Sequence, residues 1–401
     1  MLFVLLAAAS VVAADDWPAF RGRSGQGHSS EQGLPLTWSE VDGLFWKTPV
    51  PGRGWSSPVV AHGQVWLTTS LETESGNTSL RLVAFDADTG DESLNVEVFQ
   101  INATTSLNPK NSLASPTPVV DDERVYVHFG ADGTAALTTS GEVVWTTRFP
   151  YVSQHGNGGS PVLYRDRLIL SVDGYDIAYV VALDAATGEE RWRSARRDPI
   201  SQAYSTPLVI QVGGVEQIFS IGAFRATAYD PDSGSEVWEV SYGDGFSNVP
   251  APAFGHGMVY ISTGFQVPSL MAVRADGQGD VTGTHIAWVL RRGAPLTPSP
   301  LLVGNELYLV TDFGIATCLN ALTGEILWRE RLGGNFSASP VFVDGRIYFQ
   351  SEEGVTTVIR PGPVYEELAI NRLSGVTLAS MAVSNESFFI RSHDHLYRIG
   401  R

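Results

Sequence analysis

Cysteine is all but missing: Cys318 stands alone among 401 residues, so no intramolecular disulfide can staple the fold. Positive charge is also scarce. Lys and Arg number 26 against 43 Asp and Glu, a formal net charge of −17, and so acidic a surface repels phosphate backbones and anionic membranes, which excludes nucleic acid as an expected partner. Long apolar runs are lacking beyond the first 14 residues, MLFVLLAAASVVAA, which are too few to span a bilayer. That run ends in small residues before Asp15 and reads as a secretory signal peptide over 1–14, without the basic start that usually opens one. No Cys follows it to carry lipid, and no later segment has the length of a transmembrane helix, so the expected mature chain is neither lipid-anchored nor membrane-spanning and is a periplasmic or secreted monomer. GxSxG is absent, GRSGQG at 22–27 lacks the Lys of a phosphate loop, and His393 with His395 has no further His or Cys cluster to complete a metal set. Neither a catalytic residue nor a metal site is expected.

What the chain has is repetition. ALDAATGEERW (182–192), AYDPDSGSEVW (228–238) and CLNALTGEILW (318–328) share an apolar run, Asp or Asn, Thr or Ser with Gly, and a Trp four residues after that Gly. Asp or Asn can accept hydrogen bonds from the turn's own backbone and Gly supplies positive φ, so each copy is a hairpin. ALTTSGEVVW (136–145) is a weaker copy, and AFDADTGDESL (84–94) has Leu94 in place of Trp. A second signature precedes each hairpin, as in SPVVAHGQVWL, SPVLYRDRLIL and SPVFVDGRIYF: Pro, then two short strands about a polar turn.

Aligned on that Pro, the anchors are Pro58, Pro118, Pro161, Pro207, Pro252, Pro300 and Pro340, with Met381 in the eighth place, in steps of 40 to 60 residues. A four-stranded unit of that period cannot bury both faces alone. The expectation is an all-β, eight-bladed β-propeller of four-stranded antiparallel blades over 44–401, with 15–43 an irregular N-terminal extension pinned by Trp17, Phe20 and Trp38. The last unit has only three strands. The outer-strand-like LFWKTPV (44–50) is therefore expected to join the C-terminal blade and close the ring, removing free edges.

Trp145, Trp192, Trp238, Trp288 and Trp328 recur in register and read as packing between blades. Cys318 occupies the place of Ala84, Ala136, Ala182, Ala228 and Ala272, a small buried position. In such a blade the first-to-second and third-to-fourth turns share one face, and here they are short and uniform. The other face carries longer, varied links such as GRGWSSP, NPKNSLASPTP, QHGNGGSP and SQAYSTP. Residues before each Pro should rim the central channel: Arg53, Trp55, Lys110, Asn111, His155, Asn157, Tyr204, Asn248 and Asn335. Their amides, aromatic faces and cations suit a polar small molecule, a sugar or a peptide, although Ser, Asn and Gly recur in loops simply to satisfy backbone. Asp173, Asp176, Glu352 and Glu353 are further carboxylates that could reach the rim.

The cassette ALDAATGEERW with SPVVAHGQVWL resembles the pyrroloquinoline-quinone-like (PQQ-like) β-propeller repeat family over about 44–401. The opening DWPAFRGRSGQG with GLPLTWSE looks like exported bacterial members of that family. Quinoprotein dehydrogenases of this resemblance carry an adjacent cysteine pair over the quinone, a Trp beneath it, Ca²⁺ and a catalytic Asp; Cys318 alone cannot supply the pair. Propeller lipoproteins that scaffold outer-membrane protein assembly carry a lipid-bearing Cys after the signal, where this chain has Asp15. The resulting expectation is a non-catalytic exported propeller, with no cofactor, that binds a protein, peptide or glycan of the cell envelope on its loop-rich face. The alternative is a quinoprotein-type oxidoreductase using PQQ with Ca²⁺ at the channel mouth.

Overall fold

The computed structural model describes residues 16–102 and 107–400; the proposed signal segment lies outside them. Eight antiparallel sheets succeed one another along the chain. Their inner strands are Val59–Ala61, Val119–Val120, Val162–Tyr164, Leu208–Val212, Ala253–Gly255, Leu301–Val303, Val341–Val343 and Ala382–Ser384, each starting directly after one of the eight anchors. Pro suits that place because it precedes the ladder and has no N–H to leave unpaired. The propeller closes as its sequence implies. Leu44–Pro49 pairs with His395–Ile399, placing Trp46 opposite Arg398 and Pro49 opposite His395. One sheet departs from four strands: Gly279–Asp280, from a long turn of blade 5, adds a parallel strand beside Trp238 and Glu239 of blade 4. The one helical element among the described residues is a 3₁₀ turn, Gly130–Asp132.

The Gly and Trp of the repeat act on different blades. Trp145 Nε1 donates to Ala185 O at 3.0 Å, Trp192 to Pro231 O at 2.9 Å, Trp288 to Ala321 O at 2.9 Å, Trp328 to Gly362 O at 3.1 Å and Trp46 to Ala87 O at 3.1 Å. Each acceptor lies in the third-to-fourth turn of the following blade. Gly90, Gly188, Gly234 and Gly324 of those turns adopt φ near +75°, and a Cβ there would lie 2.4–2.7 Å from the docked indole. Backbone conformation and a neighbour's ring therefore both demand Gly. Opposite the repeat Trp on its own blade stands a small residue, Ala136 for Trp145, Ala182 for Trp192, Ala272 for Trp288 and Cys318 for Trp328, whereas Trp46 of the closing strand faces Arg398. Trp238 differs because the next turn is the long one; it donates to Gln217 Oε1 at 3.0 Å instead.

Around the channel the residue before each anchor ties blade to blade. Ser57 N donates to Thr117 Oγ1, Thr117 N to Ser160 Oγ and Ser160 N to Thr206 Oγ1; Ala251 N to Ser299 Oγ, Ser299 N to Ser339 Oγ and Ser339 N to Ser380 Oγ, all at 2.8–3.0 Å. The Ser/Thr-Pro pairs are thus a collar of inter-blade hydrogen bonds, and their recurrence is architectural.

Residues 16–43 form a strap across the short-turn end of the ring. Trp17 exchanges both backbone hydrogen bonds with Val60, Pro18 O accepts from Val120 N, and Gly27 O accepts from Phe342 N at 2.8 Å. Gln26 Oε1 accepts from Phe254 N, and Glu31 accepts from Asn385 N and Glu386 N. The inner strands would otherwise present unpaired edges to the channel. Phe20, carried on this strap, borders the channel from below, so that end is covered.

Candidate functional site at the channel mouth

At the loop-rich end the links spread around a cavity of about 650 Å³. It narrows into the serine-lined channel, where Trp55 and Tyr204 border both spaces. The two sides of the cavity differ. Blades 4 to 6 contribute Phe246, Val249, Phe265 and Leu296; blades 2 and 3 contribute Asn108, Lys110, Gln154 and His155. Phe246 and Phe265 meet edge to face at 5.9 Å across a short antiparallel bridge, and Phe265 remains 57% exposed. Further exposed apolar side chains, Val152, Tyr175, Ile177, Val267, Phe313 and Val376, lie on links and second-to-third-strand loops of this same face.

Trp55 is set in place from behind. Its backbone N–H donates to Ala114 O at 3.0 Å and its ring lies 5.6 Å from that of His393. Beneath this link sits Arg391, fully buried, whose Nη1 donates to Ser56 O, Ser56 Oγ and Thr68 O. Gly54 is obligatory there, since a Cβ would lie 2.6 Å from Arg391 Nη2. Across the mouth, Lys110 Nζ pairs with Glu352 Oε1 at 2.7 Å, and Ser337 Oγ donates to the same oxygen at 2.6 Å. Tyr204 is 9% exposed and donates to Gln154 O at 2.6 Å; burial pushes its phenol pKa up, so it stays a neutral donor.

The nine rim residues named from sequence divide by placement. Trp55, Lys110, Asn111, His155 and Tyr204 line the mouth cavity. Asn111 braces it: Nδ2 donates to His155 O at 2.6 Å, while Oδ1 accepts from Ser112 N and Ser115 Oγ. His155 holds φ +78° in a bridge to Leu107. Arg53 is exposed just outside, reaching Pro109 O and Asn111 O at 3.3 and 3.4 Å. Asn157 borders a separate small cavity with Gly130 and Tyr151. Asn248 is fully buried and donates to Gly222 O and Tyr242 Oη. Asn335 is held by Glu353 through both its amide and its backbone N–H. The four carboxylates do not converge. Asp173 is buried against Arg196 at 2.5 Å, Asp176 accepts from Val152 N, and among the described residues no group of three His, Cys, Asp or Glu could hold a metal ion.

Gln202, Phe246, Phe265, Leu296 and Leu378 were not singled out from sequence, yet they complete the cavity. Gln202 stands in SQAYSTP, two residues before Tyr204. Phe265 lies in a second-to-third-strand loop, the other class of connection on this face. Aromatic residues within those loops were the available signal.

Residues 100–287 and 224–362 match the family described as outer membrane protein assembly factor BamB. No curated protein sequence matches the chain. Among solved structures, BamB from Moraxella catarrhalis superposes with a TM-score of 0.60 at 12% identity, covering 89% of this chain and 99% of that one. A europium-containing methanol dehydrogenase superposes with a TM-score of 0.64 at 10% identity, covering 96% and 89%. At those identities the likeness is one of fold, shared by an assembly factor and a dehydrogenase. With its repeats, ring closure and matched span taken together, the chain belongs to the PQQ-like β-propeller family.

Proposed function

We propose that this protein is a non-catalytic binding propeller of the cell envelope, monomeric, that takes a protein, peptide or glycan at the mouth of its loop-rich face. The observation that carries this reading is the half-apolar, half-amide cavity, open on one side and covered on the other by the strap. The family's description as an assembly factor and the apolar residues 1–14 favour an envelope setting. No helix among the described residues is long and apolar enough to cross a membrane.

A quinone with Ca²⁺ finds little to hold it here. Cys318, the chain's single cysteine, is fully buried opposite Trp328 on blade 6, and among the described residues no group of three His, Cys, Asp or Glu could hold a metal ion. Lys110, which lines the cavity, already has Glu352 as its partner. The residues therefore do not fit that cofactor.

The test is capture from envelope extract with wild-type, Trp55→Ala and Phe265→Ala baits, expecting partners on wild type that both variants lose. Titration with pyrroloquinoline quinone and Ca²⁺ should leave the quinone absorbance unchanged. A saturable one-to-one complex would overturn the proposal.

A further inference from the structure

The mouth holds polar groups that the fold leaves without partners. Gln202 is 2% exposed; its Nε2 donates to Ser247 Oγ at 3.0 Å, while Oε1 is buried and has no partner. Turning the amide over only exchanges which atom is left unpaired. Trp55 Nε1 is likewise buried and unpartnered. Both residues border the cavity. A buried polar group without a hydrogen bond is costly, so such atoms mark where a ligand's own groups belong. One calls for a donor and the other for an acceptor, and a peptide group offers both.

Resting on the binding reading above, we infer that the occupant is an extended polypeptide segment of a partner protein. It inserts one aromatic or long aliphatic side chain against Phe246, Phe265 and Leu296, and hydrogen-bonds its backbone at Gln202 and Trp55. A neutral glycan would satisfy the same two atoms, but the wall decides against it. Its aromatic rings could stack on a sugar, but exposed Val267 and Phe313, on the loops of blades 5 and 6 beside Phe265 and Leu296, carry the apolar wall out onto the surface, where a protein would lie and a neutral glycan would leave it uncovered. Charge agrees. Lys110, whose ammonium lines the mouth, is paired with Glu352, so the favoured insert is uncharged.

The experiment is saturation-transfer NMR on the full chain with acetyl-Gly-Ser-Phe-Ser-Gly-amide, its Ala counterpart, its form N-methylated at Phe, and maltohexaose. Saturation should reach the Phe ring, and affinity should fall about tenfold or more for the Ala peptide. Phe265→Ala, an exposed position, should weaken the Phe peptide about tenfold with its melting temperature unchanged. Gln202→Leu should abolish the difference between the parent and N-methylated peptides. No transfer to the Phe peptide at millimolar concentration, equal binding of the Ala peptide, or indifference to Phe265→Ala overturns the inference. Maltohexaose binding that depends on Phe265, with no peptide binding, overturns the peptide alone and leaves the mouth as a binding site. Neither probe binding, together with undiminished capture by the Trp55→Ala and Phe265→Ala baits, sinks both.

Discussion

If the turn Gly of one blade and the Trp of its neighbour form one dock, their substitutions must be coupled, and the pair Trp192 and Gly234 measures it. Gly234 has φ +71°, and a Cβ there would stand 2.4 Å from Trp192 Cε3. The ring cannot swing aside cheaply, because its Nε1 is tied to Pro231 O in the same turn. Gly345 is the control: φ is +69°, with nothing within 4 Å of a Cβ. Gly345→Ala should therefore cost only the left-handed strain, about 1 kcal/mol. Gly234→Ala should cost about 3 kcal/mol, since overpacking adds roughly 2. Trp192→Ala, which removes a nearly buried indole, should cost about 4 kcal/mol.

In the double variant the overpacking has nothing to press on, so adding Gly234→Ala to Trp192→Ala should cost about 1 kcal/mol, as at Gly345. Urea-induced unfolding of the four proteins gives the coupling directly, expected at about 2 kcal/mol. At about 2.1 cal/mol/K of unfolding entropy per residue, 3 kcal/mol in a chain this long is a melting shift of only about 3–4 °C, so denaturant is the better assay. Additivity to within about 0.5 kcal/mol would refute the dock. So would a Gly234→Ala no worse than Gly345→Ala.

Other outcomes follow from single buried groups. His128 is 1% exposed with Nε2 unpartnered, and burial holds its pKa down at about 4 against an ordinary 6.5. Between those values the unfolded chain binds a proton that the folded one refuses; the stability present above pH 6.5 is lost as pH falls to 4, by about 3 kcal/mol. His128→Gln should flatten that part of the profile, and parallel profiles would contradict it. The Cys318 thiol is fully buried and its pKa is pushed up to about 12 by burial, so a disulfide reagent should label it only as fast as blade 6 opens. Rapid labelling of the native protein would show the assignment to be wrong. Glu352→Gln removes an ion pair whose lysine is half exposed, so stability should change by less than about 1 kcal/mol in unfolding titrations. A loss above about 2 kcal/mol would mean that the pair holds the blade 2 and blade 7 links together.

The ring was legible because its signals are local and repeated. Pro marks where an inner strand begins, and Gly with Trp marks a turn and its partner, so eight anchors suffice to count blades. The course of residues 16–43 was not legible beyond its aromatics. Trp17 and Gly27 hold the strap by backbone hydrogen bonds, which side-chain identity does not encode. At the mouth, sequence could identify which segment a residue belongs to but not which way it faces. Asn111 and Asn248 each precede an anchor Pro in a polar link, yet one borders the cavity and the other is buried on Gly222 O. An amide beside a turn serves a carbonyl as readily as a ligand. Phe246 and Phe265 become one wall only through the bridge between two connections of different kinds.

That asymmetry explains why recognition should fall on one end of the ring. On the short-turn end, a third-to-fourth turn answers both to its own positive φ and, in most blades, to an indole from the blade before, while the strap occupies inner-strand edges at blades 1, 2 and 7. A substitution there strains two elements at once. On the other end the collar ends at the residues before each Pro, and the links beyond it carry no repeated dock. They are free to differ, as Phe246, Phe265, Gln202 and Lys110 do, without loosening the ring beneath them. A propeller whose repeats do all the holding at one end can change its ligand at the other by changing links alone.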